Sequence, residues 1–205
     1  MAGPSGKLVF ATRNKGKIAE LSGLVNPLGL EVISAAELNA PDVEEDGDTF
    51  EANATKKARE VARATGLPAL ADDSGLNVDA LNGAPGVYSA RFAGPDATDA
   101  DNNRLLLERL QGVPSDRRRA HFFCAMAFAD PNGALGEAVE VTQGRCHGVI
   151  LEELRGVGGF GYDPLFFVPD HNKTFAELGA GIKNTISHRA MAMSHMQIFL
   201  RRYFG

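Results

Sequence analysis

The stretch that most constrains this chain is LPALADDSG, residues 67–75, where an apolar run without alternation climbs into two adjacent carboxylates. A segment apolar on both faces suits a strand covered from both sides, the environment of a sheet flanked by helices. If the strand stays extended through the acids, Asp72 and Asp73 point to opposite faces, so only one reaches a given site. The apolar flanks do not say which. The same letters also suit an Asp turn ahead of Ser74 and Gly75, after which LNVDAL reads as a separate strand.

The rest of the chain supplies the covering layers. KLVFAT reads as a strand that breaks into RNKGK, after which Ile18, Leu21, Leu24 and Val25 recur at helical spacing. LEVISA is a second strand and NAPDVEEDGD an exposed acidic loop. Asp48 followed by Glu51 is a capping-box pattern, opening a helix that Gly66 stops. GAPGVYSARFAG is rich in turn formers and reads as irregular, and an amphipathic helix runs from Thr98 to just before Gly112. AHFFCAMAFA and EAVEVTQGRCHGVIL flank the turn signal DPNG, predicting a long hairpin. A Gly-rich segment, RGVGGFGYDPLFFVP, precedes a closing helix from about Asn184 to Tyr203. Early strand–helix alternation with an inserted hairpin predicts an α/β fold with a mixed sheet. The hairpin and later segments, roughly residues 112–182, are expected to form a second lobe with a cleft beside it.

Composition sets the boundaries of function. A chain of 205 residues, 44% hydrophobic, can fill the core of one sizeable domain. A formal charge of −5, with no basic run longer than Arg117 to Arg119, argues against bulk nucleic-acid binding. Cys124 and Cys146 lack metal-ligand spacing and read as reduced thiols. MAGPSGKLVF has no signal-peptide core, and no apolar run approaches the ~18 residues of a membrane span. A soluble cytoplasmic protein, without a membrane partner, is the expectation.

Several segments could carry chemistry. Thr12-Arg13-Asn14-Lys15-Gly16-Lys17 joins a strand end to a helix start, where exposed amides and the helix dipole favour an anion. Lys15 and Lys17 add charge, and Thr12 and Asn14 can bond phosphate oxygens, although the Walker A pattern is absent. On the next helix Asn53 and Lys57 share a face and Lys56 does not. In GGFGYDP the glycines allow close backbone approach, and Phe160 and Tyr162 can stack on a planar ring. KNTISHR places Lys183, His188 and Arg189 at the start of the closing helix. Each segment alone is also read as a capped turn, a solvated lysine, a glycine hinge or a structural histidine.

Taken in order, TRNKGK, ADDSG, GAPGVYSARF, GGFGYDP and SHR resemble the non-canonical purine nucleoside triphosphate pyrophosphatase family, the inosine and xanthosine triphosphate type. The resemblance spans Thr12 to Arg189. It implies an elongated, two-lobed α/β fold around a substrate cleft, and hydrolysis of ITP, dITP and XTP to monophosphate and pyrophosphate. The same resemblance implies Mg2+, a cytoplasmic homodimer, and a role in cleansing the nucleotide pool. Thr12 to Lys17 and Lys57 match the triphosphate-binding groups, Asp73 the general base and a metal ligand, and Ser74 a substrate contact. Glu45 best matches the second metal carboxylate, with Glu44 the alternative. Phe160, Gly161, Tyr162, Asp163, Lys183, His188 and Arg189 match the nucleoside-binding positions, although GAGIKNT stands where the family commonly has acids ahead of SHR. Two other readings of the residues are a pyrophosphatase for other modified nucleotides and a nucleotide-binding regulator without catalysis.

Overall fold

The computed structural model describes residues 6–25 and 28–205. The expectation that no signal peptide opens the chain falls largely on residues 1–5, which lie outside the described residues, as do 26 and 27. The elements in chain order are β1 (Lys7–Phe10), α1 (Lys15–Val25), β2 (Glu31–Ser34), α2 (Phe50–Thr65), β3 (Ala69–Val78), α3 (Asp99–Arg109), β4 (Arg119–Ala129), β5 (Val139–Ile150), β6 (Phe166–Val168), β7 (Lys173–Thr174), α4 (Phe175–Ile186) and α5 (His188–Phe204). The seven strands form one sheet in the order β2-β1-β3-β4-β5-β6-β7. β1 runs parallel to β2 and β3, whereas β6 is antiparallel to β5 and β7, so the sheet is mixed, as the sequence predicts.

The chain divides into two compact units. The first comprises the described residues up to Asp73, Cys124–Gly144 and Arg189–Gly205. Its core joins Leu8, Phe10 and Leu70 of the parallel strands and Met126 and Phe128 of β4 to Leu21 and Val25 of α1 and Met193, Met196 and Leu200 of α5. In α2 the buried stripe is Phe50, Asn53, Ala54, Lys57, Ala58, Val61 and Ala62, so two polar side chains ride on an otherwise apolar face. The helix is capped by Thr49, whose side chain accepts from Ala52 N, and stopped by Gly66 in the left-handed region. The cap therefore sits one residue after the predicted Asp48, because buried Phe50 is already the first helical residue.

The second unit comprises Ser74–Phe123 and Arg145–His188. Its core gathers Leu76, Val78, Leu106, Phe122, Ile150, Leu165, Phe166 and Phe175. Thr98 and Asp101 cap α3 reciprocally. The segment read as irregular holds a short 3-10 turn, Gly86–Arg91, while another, Asp79–Leu81, replaces the end of the LNVDAL stretch read as a strand.

Two expectations need correction. β3 does not turn at Ser74-Gly75 but runs unbroken from Ala69 to Val78. Leu76 and Val78 are fully buried, and Leu76 N donates to Ser89 Oγ at 2.9 Å, so tertiary burial overrides the local turn signal. The closing helix is two helices, parted at Ser187, which is extended (φ −70, ψ 158). Lys183 accordingly lies in the last turn of α4, while His188 and Arg189 open α5. Among the described residues no helix is long and apolar enough to cross a membrane.

Candidate active site

β3 carries Asp72 and Asp73 in mid-strand, and alternation sends them to opposite sides. Asp72, fully buried, takes the side of Leu70. Its Oδ2 accepts from Arg189 Nε at 3.0 Å and pairs with Lys17 Nζ at 3.1 Å. Arg189 also donates through Nη1 to Glu20 Oε2 at 2.9 Å. Burial works to lower the pKa of Arg189, but the charges of Asp72 and Glu20 outweigh it and hold the guanidinium firmly protonated.

Asp73 faces α2. Asn53 Nδ2 donates to its Oδ2 at 2.9 Å and, more weakly, to Gly47 O at 3.4 Å, while Asn53 Oδ1 accepts from Gly47 N at 2.8 Å. One carboxamide thus ties the acidic loop to the acid. A Cβ on Gly47 would lie 2.7 Å from Asn53 Oδ1, so that approach requires glycine. Lys57 Nζ donates to Glu45 Oε1 at 2.5 Å and to Asp72 O at 2.6 Å. Burial presses the Lys57 pKa down, yet the charges of Asp72, Glu45 and Asp73 together carry it above the usual lysine value. The pKa of Asp73 moves up from the ordinary carboxylate range: burial raises it most, Glu45 adds to that, and Lys57, Lys17 and Asn53 oppose it. Lys56, next in sequence, pairs instead with Asp46 at the surface, as the helix-face argument predicts.

The loop after β1 is built as a helix start. Asn14 caps α1, its Oδ1 accepting from Lys17 N at 3.1 Å, and Thr12 Oγ1 accepts from Asn14 N at 3.2 Å. Lys17 reaches Asp72, Arg13 leans onto the acidic loop through Asp42 and Ala40 O, and Lys15 is exposed. Ser74 follows Asp73 in β3 and is half-buried.

In the second unit a distinct group forms. Lys183 Nζ donates to Asp163 Oδ2 at 2.6 Å and stands 4.8 Å from the Phe160 ring centre and 5.4 Å from that of Phe175. The same Asp163 oxygen accepts from Phe160 N at 2.9 Å. Gly159 is left-handed (φ 75), and a Cβ there would fall 2.0 Å from Asp163 Oδ2. Tyr162 is buried and donates to Ser89 O at 2.8 Å; burial, helped by the Asp99 charge, pushes its pKa up. His188 stacks on Phe122 at 4.8 Å and 14°.

The structure thus brings Lys17, Glu45, Lys57, Asp72, Asp73 and Arg189 into the first unit, and Phe160, Tyr162, Asp163, Lys183 and His188 into the second. Arg189, expected beside the nucleoside set, bonds to the acids of the first unit. Sequence reasoning missed Glu20, which carries no local signal, and Asp99 and Asn103, whose side chains bond the Gly161 N–H and C=O. A polar residue on a buried helix stripe was the available signal for Asn53. Among the described residues no three His, Cys, Asp or Glu side chains are grouped as a metal cage, and the carboxylates whose charges act on Lys57 are Asp72, Glu45 and Asp73.

Comparison with known proteins adds an independent line. The chain is 55% identical over 199 residues to a dITP/XTP pyrophosphatase of Desulforamulus reducens, covering 97% of each chain. It is 48% identical to the dITP/XTP pyrophosphatase of Escherichia coli strain K12, covering 95% of this chain and 98% of that one. A HAM1 protein from Coxiella burnetii superposes with a TM-score of 0.86 at 44% identity, covering 96% of this chain and 99% of its own. A nucleoside-triphosphatase / dITP/XTP pyrophosphatase from Mycobacterium abscessus gives 0.73 at 44% identity, covering 93% and 98%. The Ham1 family model matches residues 8–199, and with these likenesses along nearly its whole length the chain belongs to the Ham1 family.

Proposed function

We propose that this protein hydrolyses ITP, dITP and XTP to the nucleoside monophosphate and pyrophosphate, removing them from the nucleotide pool before they enter DNA or RNA. The observation that carries the reading is Asp73: a buried carboxylate with a raised pKa, aligned by Asn53 and flanked by Lys57 and Glu45. Its likeness to dITP/XTP pyrophosphatases over 97% of the chain supports the substrate class.

A nucleoside triphosphate brings about four negative charges, so cations must meet it before a nucleophile approaches. Lys17 and Lys57 supply two, and Thr12 to Gly16, at the start of α1, supply backbone amides and the positive end of the helix dipole. The Asp73 and Glu45 carboxylates fit Mg2+, an ion commonly held by one or two carboxylates plus substrate phosphates, and Lys57 now balances their charge. Mg2+ bound there would neutralise phosphate charge in the transition state. Asp73 orients and deprotonates a water for in-line attack at the α-phosphorus, a task its raised pKa suits. Asn53 keeps the acid's other lone pairs directed, and Ser74 contacts the substrate beside it.

In the second unit Phe160 stacks on the base, with Gly161, Tyr162 and Asp163 shaping the loop and Lys183 and His188 bordering it. Hypoxanthine and xanthine offer an oxygen at C6 where adenine offers an amino group, so donors here favour the keto bases. Arg189, matched by the family resemblance to a nucleoside-binding position, bonds Asp72 and Glu20 within the first unit. We assign the working form as a cytoplasmic homodimer, as the family resemblance implies.

The test is product identity. ITP, dITP, XTP, ATP and modified pyrimidine triphosphates are offered with Mg2+, and pyrophosphate and phosphate are scored separately. Monophosphate plus pyrophosphate, from the keto purines preferentially, is the expected result. Diphosphate plus phosphate places the attack on the wrong phosphorus, preference for another base reassigns the substrate, and intact nucleotide leaves a binder without catalysis.

A further inference from the structure

The loop assigned to the base is held at one residue from both sides. Asp99 Oδ2 accepts from Gly161 N at 2.7 Å, and Asn103 Nδ2 donates to Gly161 O at 2.8 Å. Asp99 and Asn103 lie four residues apart on α3, hence on one helix face. The Gly161 N–H belongs to the peptide that precedes its Cα and the Gly161 C=O to the one that follows, so the two bonds fix both peptide planes that meet there.

Neither residue is needed to cap the helix, although Asn103 Nδ2 also donates to Asp99 O at 2.9 Å within α3. The α3 start is already capped by Thr98 with Asp101, so the Asp99 side chain is released to reach out of the helix. Asn103 is a weak helix former, 5% exposed, and its Oδ1 is buried with no hydrogen-bond partner. An apolar side chain at this position, beside Leu106, would serve packing better. A local rule broken in this way points to a role outside stability. The neighbouring Asn102 grips the preceding segment likewise, its Oδ1 accepting from Ala93 N at 2.8 Å and its Nδ2 donating to Ala90 O at 3.1 Å. Tyr162 then bonds Ser89 of that segment. The Gly161 loop is therefore anchored through α3 directly and through Ser89.

We propose that Asp99 and Asn103 are positioning residues for base recognition: together they clamp the Gly161 backbone on both sides of its Cα and so pre-set the Phe160 ring and the Asp163–Lys183 pair for a purine. This rests on the functional reading above, in which that loop receives the base. A loop ordered beforehand spares the substrate the cost of ordering it, so the clamp acts on apparent affinity rather than on the chemical step. It also removes the Gly161 N–H from the donors that could read the C6 oxygen, leaving selectivity to other groups bordering the loop.

The experiment compares wild type with Asn103→Leu and with Asp99→Ala, the latter at an exposed position that tolerates truncation. Three readouts are taken: ITP kinetics, inhibition by inorganic tripolyphosphate as a probe without a base, and amide hydrogen exchange over residues 159–163. We expect faster exchange in that segment, a KM for ITP raised about tenfold with kcat within about threefold, and unchanged tripolyphosphate inhibition. An unchanged KM in a folded variant overturns the proposal. So does a tripolyphosphate constant that moves in step with KM, since the disturbance is then general. Wild-type protein that releases no pyrophosphate from ITP overturns the functional reading and this one with it, whereas an active wild type with an unresponsive KM overturns this one alone.

Discussion

Asp72 and Asp73 are chemically identical neighbours on one strand, and the structure gives them opposite situations. Asp72 is fully buried but matched by Arg189 and Lys17, with Glu20 closing the network behind the arginine. Asp73 is 5% exposed, bonded by a neutral amide and crowded by Glu45, so burial raises its pKa. One acid is a counter-ion matched by two cations, and the other a carboxylate whose charged form burial disfavours, which suits the base proposed for it. The lesson is that pleat alternation can separate stability from chemistry across a single peptide bond.

The strongest attempt to break this contrast is Asp73→Asn, which should cut turnover about 10²- to 10⁴-fold while leaving the melting temperature no lower. A native rate in a folded variant would remove Asp73 from the chemistry. Next, Asp72→Ala should destabilise by about 3–5 kcal/mol in chemical denaturation, because it takes one carboxylate away from a buried guanidinium. Turnover per folded molecule should suffer less than in Asp73→Asn, and the reverse ranking would exchange the two roles.

A subtler test uses pH, with a chelator present. Since the folded pKa of Asp73 lies above its unfolded value, the native state binds that proton more tightly than the unfolded chain. Its contribution to stability is full below the unfolded pKa and lost as pH rises through the folded one. The wild-type stability, measured relative to Asp73→Asn, should therefore decline across that window. A difference that grows with pH would make Asp73 a second satisfied acid. The smallest effect is expected at Lys56, which pairs with Asp46 at the surface: Lys56→Ala should leave turnover and melting temperature in place, while Lys57→Met impairs both.

Much of this was legible in the letters, and the failures share a cause. The apolar run into Asp72 and Asp73 predicted a strand covered on both faces, and residues 69–73 are all buried. Helical spacing separated Lys57 from Lys56 correctly. Ser74-Gly75 misled because turn propensity is local, whereas burial of Leu76 and Val78 is decided by distant residues. Ser187 was invisible because its serine letter carries no breaking signal, so Lys183 and Arg189 were read into one helix. Glu20, Asp99 and Asn103 matter through partners 58 to 169 residues away, a separation that no local pattern encodes.

The Asn53 carboxamide has one more consequence. Unlike any carboxylate or imidazole, it neither gains nor loses a proton across the range in which proteins work, and it can donate to a carboxylate and, less strongly, to the carbonyl oxygen of a carboxylic acid. Acidification that protonates Asp73 therefore silences the acid without unfastening it from the acidic loop. On the role proposed for Asp73, loss of turnover at low pH should then be a reversible dimmer rather than a dismantling, with activity returning once the proton leaves.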